Sequence, residues 1–178
     1  MSRQLDLDYF ERLDPRSPTG DGTHPEQIGT LTHELIAAIA RRYGGAPSPA
    51  DVLELASKFD FGRFSSPIRM ARRQRAVTLA GAFFSYFGRP GWSVVGSEVV
   101  VGEVALDLLW EKAGALEADE VKTGSRAAAG YLNEAKAQAQ GQAEVARQYL
   151  GEAFRGVRLV LLKAPSTSLT VSPKGVWT

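Results

Sequence analysis

Apolar residues recur at three- and four-residue intervals through the first half of the chain. Ile28, Leu31, Leu35 and Ile39 share one helical face, which predicts a helix opened by Thr23, Pro25 and Glu26 and stopped by Gly44-Gly45. Ser48-Pro49-Ala50-Asp51 opens a shorter helix to about Phe59. A third, from about Ser66 to Phe87, buries Ile68, Ala71, Ala76, Leu79, Ala80, Phe83 and Phe87 and ends at Arg89-Pro90-Gly91. The period then shortens to two. Trp92 to Val101 reads as a strand with Gly96 as a bulge, and Gly102 as the hairpin turn after it. Val104, Leu106, Leu108 and Trp110 alternate with Glu103, Ala105, Asp107 and Leu109 in a second strand. Lys112-Ala113-Gly114-Ala115 turns into a third, Leu116 to Lys122. An Ala-, Gln- and Glu-rich helix follows from about Arg126 to Phe154, then a buried strand from Val157 to Lys163, an edge strand from Ser168 to Val171 and a tail.

The order is helices, a three-stranded meander, a helix and a strand, an α/β arrangement in one domain. Residues 1–22, dense in Pro, Gly, Ser and Asp, read as a loosely ordered lead-in. Residues 23–90 read as a helical layer, 91–165 as the core sheet and its helix, and 166–178 as edge strand and tail. At 178 residues the chain can bury a sizeable core without staples. It has no cysteine, which excludes disulfides, thiolate zinc sites, iron–sulfur clusters and cysteine nucleophiles. No apolar run approaches a membrane span, and Met1 to Phe10 lacks the apolar core of a secretion signal. A cytoplasmic protein is expected.

The net charge of +1 conceals an uneven distribution. Residues 61–97 hold Arg63, Arg69, Arg72, Arg73, Arg75 and Arg89 and no acid. Such a block is either a solvated helix face or a patch for a polyanion. On the second reading Arg69, Arg72, Arg73 and Arg75 contact phosphates, which positions nucleic acid without reading its sequence.

The third strand carries the chemistry. Glu120 and Lys122 share a strand face, whereas Val121 faces the other way. Asp107 on the preceding strand can lie beside Glu120 in an antiparallel meander. Two carboxylates that close repel unless one is protonated or a hard cation lies between them. The plain alternative is a salt bridge on an exposed strand. Asp107, flanked by Leu106, Leu108, Leu109 and Trp110, needs a partner to offset its desolvation. Glu117 is expected in solvent, and His33 is either a satisfied buried histidine or a ligand.

Four ordered segments resemble the PD-(D/E)XK nuclease superfamily, and within it the RecB-type nuclease domains and the related CRISPR adaptation nucleases. Gly29-Thr30-Leu31-Thr32-His33-Glu34 is similar to the first motif, a histidine on a helix behind a glycine. Gly102-Glu103-Val104-Ala105-Leu106-Asp107 is similar to the strand that ends in a metal aspartate, and Glu120-Val121-Lys122-Thr123-Gly124 to the Glu/Asp-x-Lys motif. Gln142 and Tyr149 resemble the glutamine–tyrosine motif, though seven residues apart rather than four, and Gln138 competes for the glutamine's place. The iron–sulfur cysteines of some relatives are missing, as is a Gly-x-x-x-x-Gly-Lys-Ser/Thr loop.

The resemblance implies a restriction-endonuclease-like core, α-β-β-β-α-β with a mixed central sheet flanked by helices, under an N-terminal helical layer. It implies Mg²⁺ or Mn²⁺ held by His33, Asp107, Glu120 and the Val121 carbonyl, with Asp107, Glu120 and Lys122 catalytic and Lys122 placing the attacking water. Glu98 would support the metal or orient the histidine, and Gln142 and Tyr149 would bind substrate. The implied activity is hydrolysis of DNA phosphodiesters, at ends or in single strands, alone or beside a helicase or other complex subunit. The alternative is a non-catalytic nucleic-acid-binding module of the same fold within a larger complex.

Overall fold

The computed structural model describes residues 25–61, 66–123, 129–162 and 169–178. The expected lead-in over 1–22, the Thr23 start signal and the beginning of the long helix at Arg126 lie outside them. Three helices come first: α1 (Pro25–Tyr43), α2 (Pro49–Lys58) and α3 (Ser66–Phe87). Strands β1 (Ser93–Val101), β2 (Val104–Lys112) and β3 (Ala115–Lys122) follow, then α4 (Ala129–Leu150), β4 (Phe154–Leu161) and β5 (Leu169–Val171). The five strands form one mixed sheet in chain order. β1, β2 and β3 run as an antiparallel meander, β3 and β4 are parallel across α4, and β5 returns antiparallel on β4.

Local sequence explains the joints. Ser48 caps α2, its hydroxyl accepting from the Asp51 amide while the Asp51 carboxylate accepts from the Ser48 amide. The β2–β3 turn has Ala113 at φ 50° and Gly114 at φ 81°, the left-handed pair that suits a two-residue hairpin. Gly45 lies where the α1–α2 turn touches the chain leaving α3. A Cβ there would come 2.2 Å from the Arg89 carbonyl oxygen, so only glycine permits the contact.

Two apolar layers sandwich the sheet. On one face Leu35, Ile36 and Ile39 of α1 and Leu79, Phe83 and Phe87 of α3 cover Leu108, Trp110, Val121 and Val160. On the other, Ala135, Ala139, Ala143 and Ala146 lay α4 against Leu106, Leu109, Ala118, Val157 and Leu159. An alanine stripe at helical spacing brings the helix axis close to the strands. Burying each large side chain beneath it contributes about 1.5–3 kcal/mol.

Two expectations need correction. The long helix ends at Leu150, not Phe154, because Gly151 turns left-handed at φ 68°. Phe154 instead opens β4 and is buried under α4. After β5 the chain turns back, and Thr170 and Thr178 exchange both backbone hydrogen bonds. Strict alternation in β2 also fails. Leu108 and Trp110 enter the helical-layer core, but Leu106 enters the α4 core, so the strand changes faces at Asp107. Opposite it, between the pairs Ser97↔Leu108 and Val99↔Leu106, Glu98 adopts φ 51°. Both strands are irregular at one level. Among the described residues no helix is long and apolar enough to cross a membrane.

Candidate functional site

The irregular level of β1 and β2 is where carboxylates collect. β2 and β3 pair from Lys112↔Ala115 to Leu108↔Asp119 and then stop. Beyond that point Asp107 supplies the missing acceptor itself: its Oδ2 takes the Val121 amide at 2.7 Å. The sheet is thus held open by a side chain, which leaves Oδ1 directed elsewhere. His33 of α1 approaches from the helical layer, Nδ1 standing 3.8 Å from Asp107 Oδ1. Its Nε2 is buried without a hydrogen-bond partner. Gly29, one turn earlier, lets α1 come this near, since a Cβ there would lie 3.0 Å from Thr123 Oγ1 just after β3. The left-handed turn at Glu98 brings a third group in. One ligand atom from each of His33, Glu98 and Asp107 lies within 4.8 Å of the other two.

Glu120 and Lys122 stand beside this trio and face α4. Glu120 is buried, with Oε1 2.5 Å from Lys122 Nζ and Oε2 accepting from Gln142 Nε2 at 2.7 Å. Gln142 also donates to the Ala105 carbonyl at 2.8 Å, and its own Oε1 is buried without a partner. One turn back, Gln138 accepts from Lys122 Nζ at 2.8 Å. The two glutamines that competed for one role therefore take different partners, one the acid and one the amine.

Burial, and next the charge of Glu120, push the Asp107 carboxyl up from 3.8 to about 6; His33, the Val121 amide and Lys122 pull against that rise. Three carboxylates with one ammonium leave the locale negative, and the ligand atoms are imidazole nitrogen and carboxylate oxygen. That donor set suits a divalent cation of the harder kind.

Several expected residues lie elsewhere. The trio that could hold a cation contains Glu98, expected only as support, while Glu120, beside it, is engaged by Lys122 and Gln142. Val121 meets Asp107 through its amide, and its side chain is in the helical-layer core. Tyr149 is exposed and its ring covers Gly102 at the β1–β2 turn, about 10 Å along α4 from Gln142. It is not brought to Glu120. The arginine block is not one exposed surface. Arg72 is buried one turn before Ala76 on the packed side of α3, Arg75 is half-buried, and Arg73 alone of these is exposed. The Arg69 side chain lies outside the described residues.

Arg89, counted in the same block, is buried and ion-paired. It contacts Glu117 at 2.5 Å and Asp119 at 2.7 Å, so Glu117, expected in solvent, is instead half-buried and ion-paired. Arg158 forks onto both oxygens of Asp119 at 2.9 and 2.7 Å, and Trp110 Nε1 donates to the same carboxylate at 2.9 Å. Sequence reasoning missed this network. The signal was present: Glu117, Asp119 and Val121 share one strand face, and placing Val121 in the core places Asp119 there too.

No protein-family model, curated protein or solved structure matches the chain.

Proposed function

We propose that the chain is a divalent-metal-dependent deoxyribonuclease, a phosphodiester hydrolase with a restriction-endonuclease-like core of the PD-(D/E)XK kind. The observation that carries this reading is the joining of two sets at one end of the sheet. The His33–Glu98–Asp107 trio offers cation ligands within 4.8 Å of one another, and Glu120 and Lys122 form a pair on the adjoining strand.

His33, Glu98 and Asp107 would hold Mg²⁺ or Mn²⁺, with Glu120 next to them. The ion, once bound, supplies Lewis acidity toward a phosphoryl oxygen and lowers the pKa of a bound water. The protein's own groups do the remainder. Asp107 is fixed by the Val121 amide, so its free oxygen does not swing. Lys122 is held between Glu120 and Gln138, which keeps an ammonium beside the reacting centre to hold the attacking water and offset charge gathering on the phosphate. Gln142 fixes the far oxygen of Glu120 and so orients its near one toward Lys122.

The test is cleavage of single-stranded and duplex DNA with Mn²⁺, set against EDTA and against Lys122→Ala. The expected result is metal-dependent cleavage that falls by about 10²-fold or more in the variant. Equal rates in the two proteins would remove the assignment. A melting temperature that rises with Mn²⁺, without cleavage of any strand, would favour the non-catalytic module instead.

A further inference from the structure

With Arg72 buried in α3 and Arg89 locked onto Glu117 and Asp119, the basic block cannot serve as a continuous phosphate track. Another cation meets β1 at the residue next to Glu98. Arg41, in the last turn of α1, is exposed, and its Nη2 donates to the hydroxyl of Ser97. Ser97 is the residue before Glu98, with Cα atoms about 3.8 Å apart. Helical side chains lean toward the N-terminus of their helix, so Arg41 leans back along α1 toward the His33 end. Among the described residues it pairs with no carboxylate. The hydroxyl occupies one donor and orients the guanidinium, leaving the remaining N–H groups of the planar fork for another acceptor.

We infer that Arg41, steadied by Ser97, grips a backbone phosphate of single-stranded DNA flanking the phosphate at the His33–Glu98–Asp107 cluster. The strand then approaches along the C-terminal turn of α1 and the edge strand β1 instead of along α3. The fork suits phosphate oxygens, and the acids beside it would repel an anion that lacked such a contact. This inference rests on the nuclease reading for its substrate, so its test is read by binding as well as by turnover.

A short fluorescent single strand is titrated with wild type, Arg41→Ala, Arg41→Lys and Ser97→Ala in Ca²⁺, from about 50 to 200 mM salt. Melting curves accompany each variant, and Arg41→Ala should melt with wild type because its side chain is exposed. Loss of one phosphate contact should weaken binding by roughly fivefold or more and lower the salt slope by about 0.7. Arg41→Lys should fall between the two, keeping the charge without the fork. Ser97→Ala should weaken binding in the wild-type background and not in Arg41→Ala, which isolates the pair. In Mn²⁺ the alanine variant should raise KM and leave kcat unchanged.

Wild-type cleavage together with an unchanged affinity and salt slope in Arg41→Ala would overturn the inference and leave the nuclease reading standing. A reduced slope in Arg41→Ala without any cleavage by wild type would uphold the phosphate contact and overturn the nuclease reading. Failure of wild type to bind the strand at all would overturn both.

Discussion

Asp119 and Glu120 are neighbours in sequence and opposites in environment. Asp119 faces the helical layer at the centre of a closed network, where four N–H groups from Arg89, Arg158 and Trp110 meet its two oxygens. The Arg89 guanidinium is also stacked 5.0 Å from Trp92, and Arg158 reaches on to the Phe87 carbonyl at 2.8 Å. Burial alone would raise the Asp119 carboxyl; the charges of Arg158 and Arg89 outweigh it and hold the group below its ordinary 3.8. Glu120 turns to the other face and joins Asp107 and Glu98, where acids outnumber cations and Asp107 is pushed up to about 6. One side of β3 is neutralised within the protein, and the other is left short of positive charge. The cluster saturated in charge, in which Arg89 Nε is nonetheless buried without a hydrogen-bond partner, ties the end of α3 to β3 and β4. An unsaturated one stores a tendency to take up a cation.

The largest effect separating the two should come from Asp119→Ala. It removes the carboxylate that two largely buried guanidinium groups share, leaving Arg89 with Glu117 and Arg158 with the Phe87 carbonyl, which costs about 3–5 kcal/mol. Urea unfolding should show that loss with or without Mn²⁺. Because the folded-state carboxyl lies below its ordinary value, its contribution is complete above about pH 4 and disappears as the acid is protonated below it. A variant of wild-type stability would mean that the network is ornamental.

Asp107→Asn should act in the opposite direction. A carboxyl raised from 3.8 to about 6 destabilises the folded state when ionised. The contribution of this group to the metal-free protein should therefore be most favourable below about pH 4 and be lost as the pH climbs from there through 6, by about 3 kcal/mol at most, whereas Asp119 acts with the opposite sign at the acid end. The amide removes that penalty at neutral pH while still accepting from Val121. It should raise the melting temperature of metal-free protein and abolish the rise that Mn²⁺ produces in wild type. A destabilised variant that still responds to Mn²⁺ would refute the contrast.

The same contrast sets what could be read from the sequence. Periodicity located every described strand and helix to within a few residues, because each buries one apolar face. Asp107, Glu120 and Lys122 were legible because charged groups in apolar strands need a reason. Two things were hidden. The face change at Asp107 arises from an irregularity shared with Glu98, and no two-residue period predicts it; so Glu98 looked secondary. The arginine count set the basic residues of α3 apart from its buried side, but the helix packed along Ala76, Leu79, Phe83 and Phe87 also buries Arg72. Charge along a sequence becomes a surface only after the packed face is known.

Gln142→Ala probes the unsaturated side without touching a charge. It removes the donor shared by Glu120 and the Ala105 carbonyl, leaving a buried acid oxygen short of a partner. The cost should be about 1–3 kcal/mol in metal-free protein. Mn²⁺ should recover part of it, as a cation stabilises the freed carboxylate.

Glu117→Gln should be the mildest and sharpens the comparison from the saturated side. Glu117 is half-buried and its carboxylate is ion-paired with Arg89, whereas Arg89 keeps Asp119 at 2.7 Å and its aromatic neighbours. The amide oxygen can still accept from the guanidinium. The loss should therefore stay under about 1 kcal/mol, the scale of a partly solvated pair. A chemical denaturation curve with the wild-type slope and a slightly lower midpoint is expected. A loss as large as that of Asp119→Ala would show that Arg89 depends equally on both acids. The network would then be a chain without a centre, and the contrast with the open cluster would rest on Arg158 and Trp110.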